Sequence, residues 1–228
     1  MGYAVAHPKP YRGLAMEGPI AQWYARNTAR DVRRFAETAR AVLARVPPGG
    51  RILEVAPGPG YLSVALARAG RQVTAIDISE SFVRMVRANA AQAGVAIDVR
   101  HGSASDLPFA DGAFDFVVCV AAFKNFSEPV RALREMFRVA AAGGQVSVHD
   151  LRSDATAGEI DREVDGMNLS AWNAFVTRWI FRHALLKRAY RRADLDRMSG
   201  EVRADRTEIL TNGVGYELRL MKGEPPQP

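Results

Sequence analysis

Apolar residues recur at helical spacing from Gly18 to Val46, with Ile20, Trp23, Tyr24, Val32, Phe35, Ala39, Val42 and Leu43 in step, and "PPGG" at 47–50 stops the run. This predicts one or two helices leading into a core. From Arg51 the rhythm changes to short, almost unbroken apolar runs separated by amphipathic stretches. "RILEVA", "QVTAID", "AIDVRH", "AFDFVVCV" and "QVSVHD" read as strands. Between them, "GYLSVALARAG" and "SESFVRMVRANAAQAG" read as helices ending at Gly70 and Gly94, and "SEPVRALREMFRVAAAGG" as a helix capped by Ser127 and closed by glycine. Strands apolar on both faces, alternating with helices of this length, imply right-handed crossovers and a parallel sheet covered on both sides.

After Asp150 a polar linker from Arg152 to Gly166 precedes a helical stretch with Trp172, Phe175, Val176, Trp179, Ile180 and Leu186 on one side. "RTEILT" and "VGYELRLM", joined by Asn212 and Gly213, predict an antiparallel hairpin. The expected fold is α/β and Rossmann-like: a doubly wound, seven-stranded, mostly parallel sheet with a C-terminal antiparallel hairpin and a helical lid. It is expected to form a single domain over 1–228, with a helical cap over 1–46, a ligand-binding core over 50–150, a lid and substrate segment over 152–200 and the closing hairpin over 203–222.

The 228-residue chain is 48% hydrophobic and 25% charged, the make-up of a globular enzyme with one sizeable core. Its longest uncharged run, Val55 to Ala67, is too short for a membrane span and is broken by Pro57, Gly58, Pro59 and Gly60. The opening "MGYAVAHPKPYRG" holds no apolar core of signal-peptide length. Cys119, the single cysteine, excludes an internal disulfide and a cysteine-rich metal site and suits a reducing cytoplasm; within "FDFVVCV" it reads as a buried strand residue. His7, His101 and His183 share no ligand spacing, so no metal is expected. The net charge of +6 invites a nucleic-acid reading, but the excess is spread among interleaved acids, as on a solvated surface. Only "RWIFRHALLKRAYRR", Arg178 to Arg192, forms a patch, suited to nucleic acid, an acidic substrate, a membrane surface or plain solvent.

The ligand site of an open parallel sheet lies beyond the carboxyl ends of its strands, and "LEVAPGPG" at 53–60 occupies the first such turn. Gly58 and Gly60 alone do not choose between a dinucleotide and another adenosine-containing ligand, and Ser63 can serve as a third small residue. Charge discriminates better. A pyrophosphate on uncovered N–H groups would be repelled by Glu54, which instead suits a ligand carrying a sulfonium and an ammonium. Asp77 ends the second strand, where a carboxylate accepts from ribose hydroxyls, while Ser79 is the more natural cap of the following helix. No tyrosine has a lysine four residues on, so the proton relay of short-chain reductases is missing.

"ILEVAPGPG", "VTAIDIS", "GSASDLPFADGAFDFVV" and "ALREMFRVAAAGGQVSV", in this order over roughly residues 50 to 150, resemble the sequential motifs of class I S-adenosylmethionine-dependent methyltransferases. Within that superfamily "FKNFSEPVRALREMFRV" is similar to the ubiquinone/menaquinone-biosynthesis methyltransferase type. The resemblance implies S-adenosyl-L-methionine as cofactor and S-adenosyl-L-homocysteine as product. It implies that the backbone at Ala56, Gly58 and Gly60 approaches the methionine part, with Glu54 organising the cationic end. Asp77 would hold the ribose and Ile78 pack on the adenine. Ser103 stands where the family usually has an acid, leaving the adenine edge to its hydroxyl and the Ala104 amide, with Asp106 as the alternative acid. Val120 would border the methyl group; Tyr24 would close over the cofactor or serve the core.

A sulfonium methyl is already activated, so transfer chiefly needs an aligned nucleophile and excluded water. Lys124, Asn125, His149 and Asp150 follow the fourth and fifth strands. His149 is the candidate general base, with Asp150 as its orienter; the alternative is a hydrogen-bonded structural histidine. "CVAAF" stands where exocyclic-amine methyltransferases resemble one another in an Asn/Asp-Pro-Pro-aromatic tetrapeptide, and Cys119 sits in mid-strand rather than in a loop suited to cytosine C5 chemistry. The acceptor expected is therefore a small, aromatic or apolar molecule entering under a lid made by the N-terminal helices and the segment from Gly166 to Tyr190; the aromatic side of that segment would line the pocket, or the segment would be an amphipathic helix docked on the sheet with a solvated outer face. Two other readings stand beside it: a nucleic-acid methyltransferase using the basic 178–192 helix, and a non-catalytic cofactor-binding protein or oxidoreductase. No heptad or apolar surface strand marks an oligomer interface.

Overall fold

The computed structural model describes residues 11–12, 15–29, 32–167 and 169–224. Most of the opening segment examined for a signal peptide, and His7 with it, lies outside these. Two helices come first, α1 (Gly18–Thr28) and α2 (Val32–Leu43). The alternation then runs β1 (Arg51–Val55), α3 (Tyr61–Arg68), β2 (Gln72–Asp77), α4 (Glu80–Ala93), β3 (Asp98–His101), β4 (Phe114–Val120), α5 (Pro129–Val139) and β5 (Ala140–Leu151). The C-terminal part adds α6 (Ala157–Asp165), α7 (Ala171–Ile180), α8 (Arg192–Gly200), β6 (Arg206–Asn212) and β7 (Gly215–Met221). The seven strands lie in the order β3-β2-β1-β4-β5-β7-β6, with β1 to β5 parallel and β7 antiparallel to both β5 and β6. Chain order reverses between β1 and β4, which opens a crevice at their carboxyl ends.

Strand alternation sorts the core into two layers. Leu53, Val55, Val117, Cys119, Val146 and Val148 face α5 and α8, where Leu133, Met136 and Leu195 complete a cluster closed to solvent. Ile52, Phe116 and Val118 face the other way onto Val42 of α2 and Leu62 and Leu66 of α3. Cys119 is fully buried, and desolvation, the chief cause, lifts its thiol well above the usual range. Ser79 caps α4 by accepting from Phe82 N at 3.1 Å, and Gly94 ends it with φ +67°.

Four local expectations are corrected. The α5 N-cap is Glu128, not Ser127, because Pro129 fixes the first turn. That helix is closed by direct entry into β5 at Ala140, whose long strand absorbs the glycines. The presumed linker at 152–166 contains α6, started by a reciprocal Thr156–Glu159 capping box and anchored by buried Ile160 and Val164. The β6–β7 turn is Gly213-Val214 rather than Asn212-Gly213. Val214 is buried against Ile160, Val164, Phe181 and Leu186, and that packing sets the register.

Candidate functional site

At the crevice a cavity of about 420 Å³ is lined by the turns after β1, β2, β3 and β4 and by the start of the chain. Its floor is the β1–α3 turn, where Ala56 (φ +56°), Gly58 (φ +57°) and Gly60 (φ +83°) take left-handed conformations. Ala56 N–H donates to Ile76 O at 2.8 Å, which pins the turn to β2. A Cβ at Gly58 would stand 3.7 Å from the Tyr24 ring, so its missing side chain keeps the floor open beneath that ring. Gly60 serves a different purpose. A Cβ there would meet Val86 of α4 at 2.9 Å, and Gly60 is not part of the cavity wall.

Two buried carboxylates reach the cavity. Glu54 is set between Ala75 of β2 and Val118 of β4, 2% exposed, and accepts a short hydrogen bond from Ser63 Oγ in the first turn of α3. Burial pushes its pKa up to about 8 against that hydrogen bond, and the nearby Asp77 adds to the rise. Asp77, 6% exposed, accepts from Ser79 N at 2.8 Å and from Gly58 N at 3.2 Å. Burial again raises its pKa, to about 6, opposed by these backbone donors. Asp77 therefore ties the β1 turn to the β2 end as well as facing the cavity.

Ile78, Ser103 and Ala104 line the adjoining wall. Ser103 Oγ accepts from Ser105 N at 3.2 Å, and a Cβ at Gly102 would press on the terminal methyl of Ile76 at 2.9 Å. Asp106, the alternative acid, pairs back with Ser103 in a backbone bridge, is exposed and does not line the cavity. On the β4 side stand Val120, Ala121 (φ +58°), Ala122, Asn125 and Phe126. Tyr24 completes the roof, edge-on to Phe82 with ring centroids 5.8 Å apart.

His149 is not brought to this cavity. Neighbouring strand residues project to opposite faces, so His149 and Asp150 are separated by β5 and Asp150 does not orient the ring. His149 Nε2 lies 2.9 Å from Ser147 Oγ and 3.7 Å from Glu217 Oε1 of β7. Despite desolvation, hydrogen bonds from Arg219, Arg45 and Ser147 hold the Glu217 carboxyl far below the usual range. Asp150, its side chain closed to solvent, accepts from Lys124 Nζ at 2.6 Å, Lys124 N at 2.9 Å and Leu151 N at 2.8 Å. Lys124 Nζ also donates to Ala121 O at 3.1 Å, which fixes the strained residue beside the cavity.

Sequence reasoning missed the N-terminal wall. Tyr11, Ala15, Met16 and Glu17 all line the cavity. Tyr11 bridges Phe126, Ser79 Oγ donates to Met16 O at 2.6 Å, and Glu17 Oε2 accepts from Ser81 N at 3.0 Å. No periodicity marks these residues, since they form a strap rather than a regular element. Of the two readings of the segment from Gly166 to Tyr190, the aromatic pocket lining is not found, for Trp172 (73%), Phe175 (61%) and Trp179 (57%) are exposed and none touches the cavity; the helix is instead docked with a solvated outer face.

No lysine, arginine or histidine lines the cavity among the described residues. Two buried carboxylates, Glu54 and Asp77, with Glu17 at the rim of a largely apolar and hydroxyl-bearing pocket, suit a ligand that brings its own positive charge and a polyol edge. Comparisons with known proteins agree with this chemistry. Residues 53–148 match the family model described as "Methyltransferase domain". A demethylmenaquinone methyltransferase from Renibacterium salmoninarum is 40% identical over 153 residues, covering 65% of this chain and 62% of its own. A ubiquinone biosynthesis O-methyltransferase from Xanthomonas campestris pv. campestris is 36% identical over 142 residues, covering 62% and 56%. Among solved structures, a putative S-adenosyl-L-methionine-dependent methyltransferase from Methanococcus maripaludis shares the fold with a TM-score of 0.68 at 19% identity, over 96% of this chain and 99% of that one. Sequence and fold thus make the chain similar to the class I S-adenosylmethionine-dependent methyltransferases, with the family match lying over residues 53–148. It spans 56 to 62% of the length of these two curated relatives.

Proposed function

We propose that the protein transfers a methyl group from S-adenosylmethionine to a small aromatic or apolar acceptor by in-line displacement. The observation that carries this reading is the pair of buried carboxylates, Glu54 and Asp77, on either side of a left-handed turn, with no cation among the described residues lining the cavity. When bound, the cofactor supplies a methyl carbon already activated on a sulfonium.

Glu54, ionised on binding, holds the ammonium end, and the backbone of Ala56 and Gly58 admits the methionine part. Asp77 accepts from the ribose hydroxyls, Ile78 and Phe82 hold the adenine faces, and Ser103 with the Ala104 amide meets its edge. Gly60 shapes the turn through Val86 without touching the ligand. Val120, Ala121 and Ala122 form the wall beside the methyl group, and Asp150 with Lys124 holds that wall in place. Tyr24 and the strap at 15–17 exclude water from above, so the N-terminal part is the cap. Among the described residues no imidazole lines the cavity, and an acceptor that loses its proton readily, such as a phenol, suits them best. Two of the proteins similar to this one carry quinone-pathway names, which supports a ring-bearing acceptor.

Titration calorimetry tests the reading directly. S-adenosylhomocysteine should bind and raise the melting temperature while NADH does neither; the reverse pattern would overturn the proposal. A mass-spectrometric screen for a methyl gain on phenolic and quinol metabolites would then identify the acceptor.

A further inference from the structure

α7 is held by one side only. Ala174 and Phe181, the residue after its end, pack into the cluster built on Ile160, Val164, Leu186 and Val214. At about 100° per residue, Trp172, Phe175, Val176 and Trp179 form a single stripe on the opposite side of the helix. Three large aromatics at 73, 61 and 57% exposure leave roughly 400 Å² of ring surface in water. His183, tilted against Trp179 at 5.2 Å, extends the stripe into the π turn at Phe181–Leu185.

Charge selects the occupant. Residues 166–192 contain six lysines and arginines and no acid. Arg178 and Arg182 are tied to Asp161 and Asp165 of α6, which keeps them off the aromatic stripe and takes them from the pool available to a phosphate backbone. Lys187 and Arg188 remain exposed at the end of the stripe. An anionic bilayer attracts those cations and accepts the tryptophans at its headgroup boundary. The segment also ends at the cavity: Tyr190 packs on Phe123 with ring centroids 5.5 Å apart and receives Arg12 Nη1 at 3.5 Å, next to the Tyr11–Phe126 bridge of the cavity wall.

We propose that the outer face of α7 and the turn after it dock on an anionic lipid surface, with Trp172, Phe175 and Trp179 in the headgroup boundary and Lys187 and Arg188 against the phosphates. Docking places the cavity wall near the bilayer, so the acceptor is a lipophilic molecule drawn from it; this second part rests on the methyl-transfer reading, and the docking does not.

Flotation with vesicles of phosphatidylcholine, alone or mixed with phosphatidylglycerol, tests the proposal. The protein should float only with the anionic vesicles, and less as salt rises. The double variant Trp172→Ser/Trp179→Ser should lose about tenfold in partition while keeping the secondary structure of the parent. Lys187→Glu/Arg188→Glu should abolish the preference for anionic lipid. Equal flotation of the tryptophan variant and the parent, or no flotation of the parent, overturns the proposal. A parent that dimerises through these tryptophans, or that binds RNA but not vesicles, overturns it in favour of those partners. S-adenosylhomocysteine binding, measured in parallel, separates the two readings, because its loss would count against the transferase and leave the vesicle result standing.

Discussion

Glu54→Gln offers the sharpest test of how the cavity holds a cationic ligand. The carboxyl has a pKa of about 8 in the folded protein against 4.5 for the ordinary group. At pH about 7 only about a tenth of the ligand-free molecules carry the charge, so binding an ammonium there costs about 1.4 kcal/mol and releases close to one proton. Affinity for S-adenosylhomocysteine should therefore climb about tenfold between about pH 6.5 and about pH 8 as Glu54 ionises. The linkage has a second face. A raised carboxyl pKa stabilises the fold at low pH, and that contribution is lost as pH rises through about 8, so the ligand-free protein should lose about 2 kcal/mol over the same interval. The glutamine variant should bind weakly at every pH, with a flatter profile, and should be the more stable of the two near pH about 8 when no ligand is present. Calorimetry in buffers of different ionisation enthalpy reads the proton release, and urea unfolding across pH reads the stability. A wild-type affinity that is flat with pH, or a variant that keeps the full pH dependence, would refute the assignment of Glu54.

Asp77→Ala should weaken S-adenosylhomocysteine by about 1 to 3 kcal/mol in calorimetry, since it removes charge-assisted acceptors and frees the Gly58 N–H; unchanged affinity removes Asp77 from the site. Gly60→Ala forces a side chain to φ +83° and to 2.9 Å from Val86, so urea unfolding should show a loss of about 2 kcal/mol or more; a neutral result would contradict the packing assigned to the turn. His149→Ala should leave kcat for the identified acceptor within about threefold of the parent while lowering the melting temperature, because the ring serves the Ser147–Glu217 cluster rather than the cavity; a large fall in kcat with stability intact would restore it as the base.

The sheet was legible because its strands are apolar on both faces and its helices carry strong ends, as at Ser79 and Gly94. The cavity floor was legible for a related reason, since acids at the carboxyl ends of β1 and β2 break the apolar rule and so stand out. Other features depended on contacts between distant residues. Whether Gly60 faces ligand or neighbour is decided by Val86 in another helix. Which way His149 points follows from strand parity, and Leu53 and Val55 on one face of the sheet with Ile52 on the other show how firmly that parity holds. The capping box of α6 was present in the sequence as Thr156 and Glu159, but its few apolar residues hid the helix behind a polar composition. The exposed stripe of α7 was the hardest to place, because an amphipathic pattern does not say which side of a helix meets the core.

The Asp150–Lys124 pair has a consequence for how such a pocket changes over time. It secures the loop after β4 from the neighbouring strand, through backbone and side-chain bonds that do not involve the side chains of Ala121 or Ala122. Ala122 can therefore be enlarged or reshaped without removing the ties that hold the loop, whereas Ala121, at φ +58°, is confined to small side chains. On the methyl-transfer reading, a scaffold built this way would exchange one acceptor for another by altering a few small residues on the β4 side, while Asp77 and the β1 turn keep their mutual bonds.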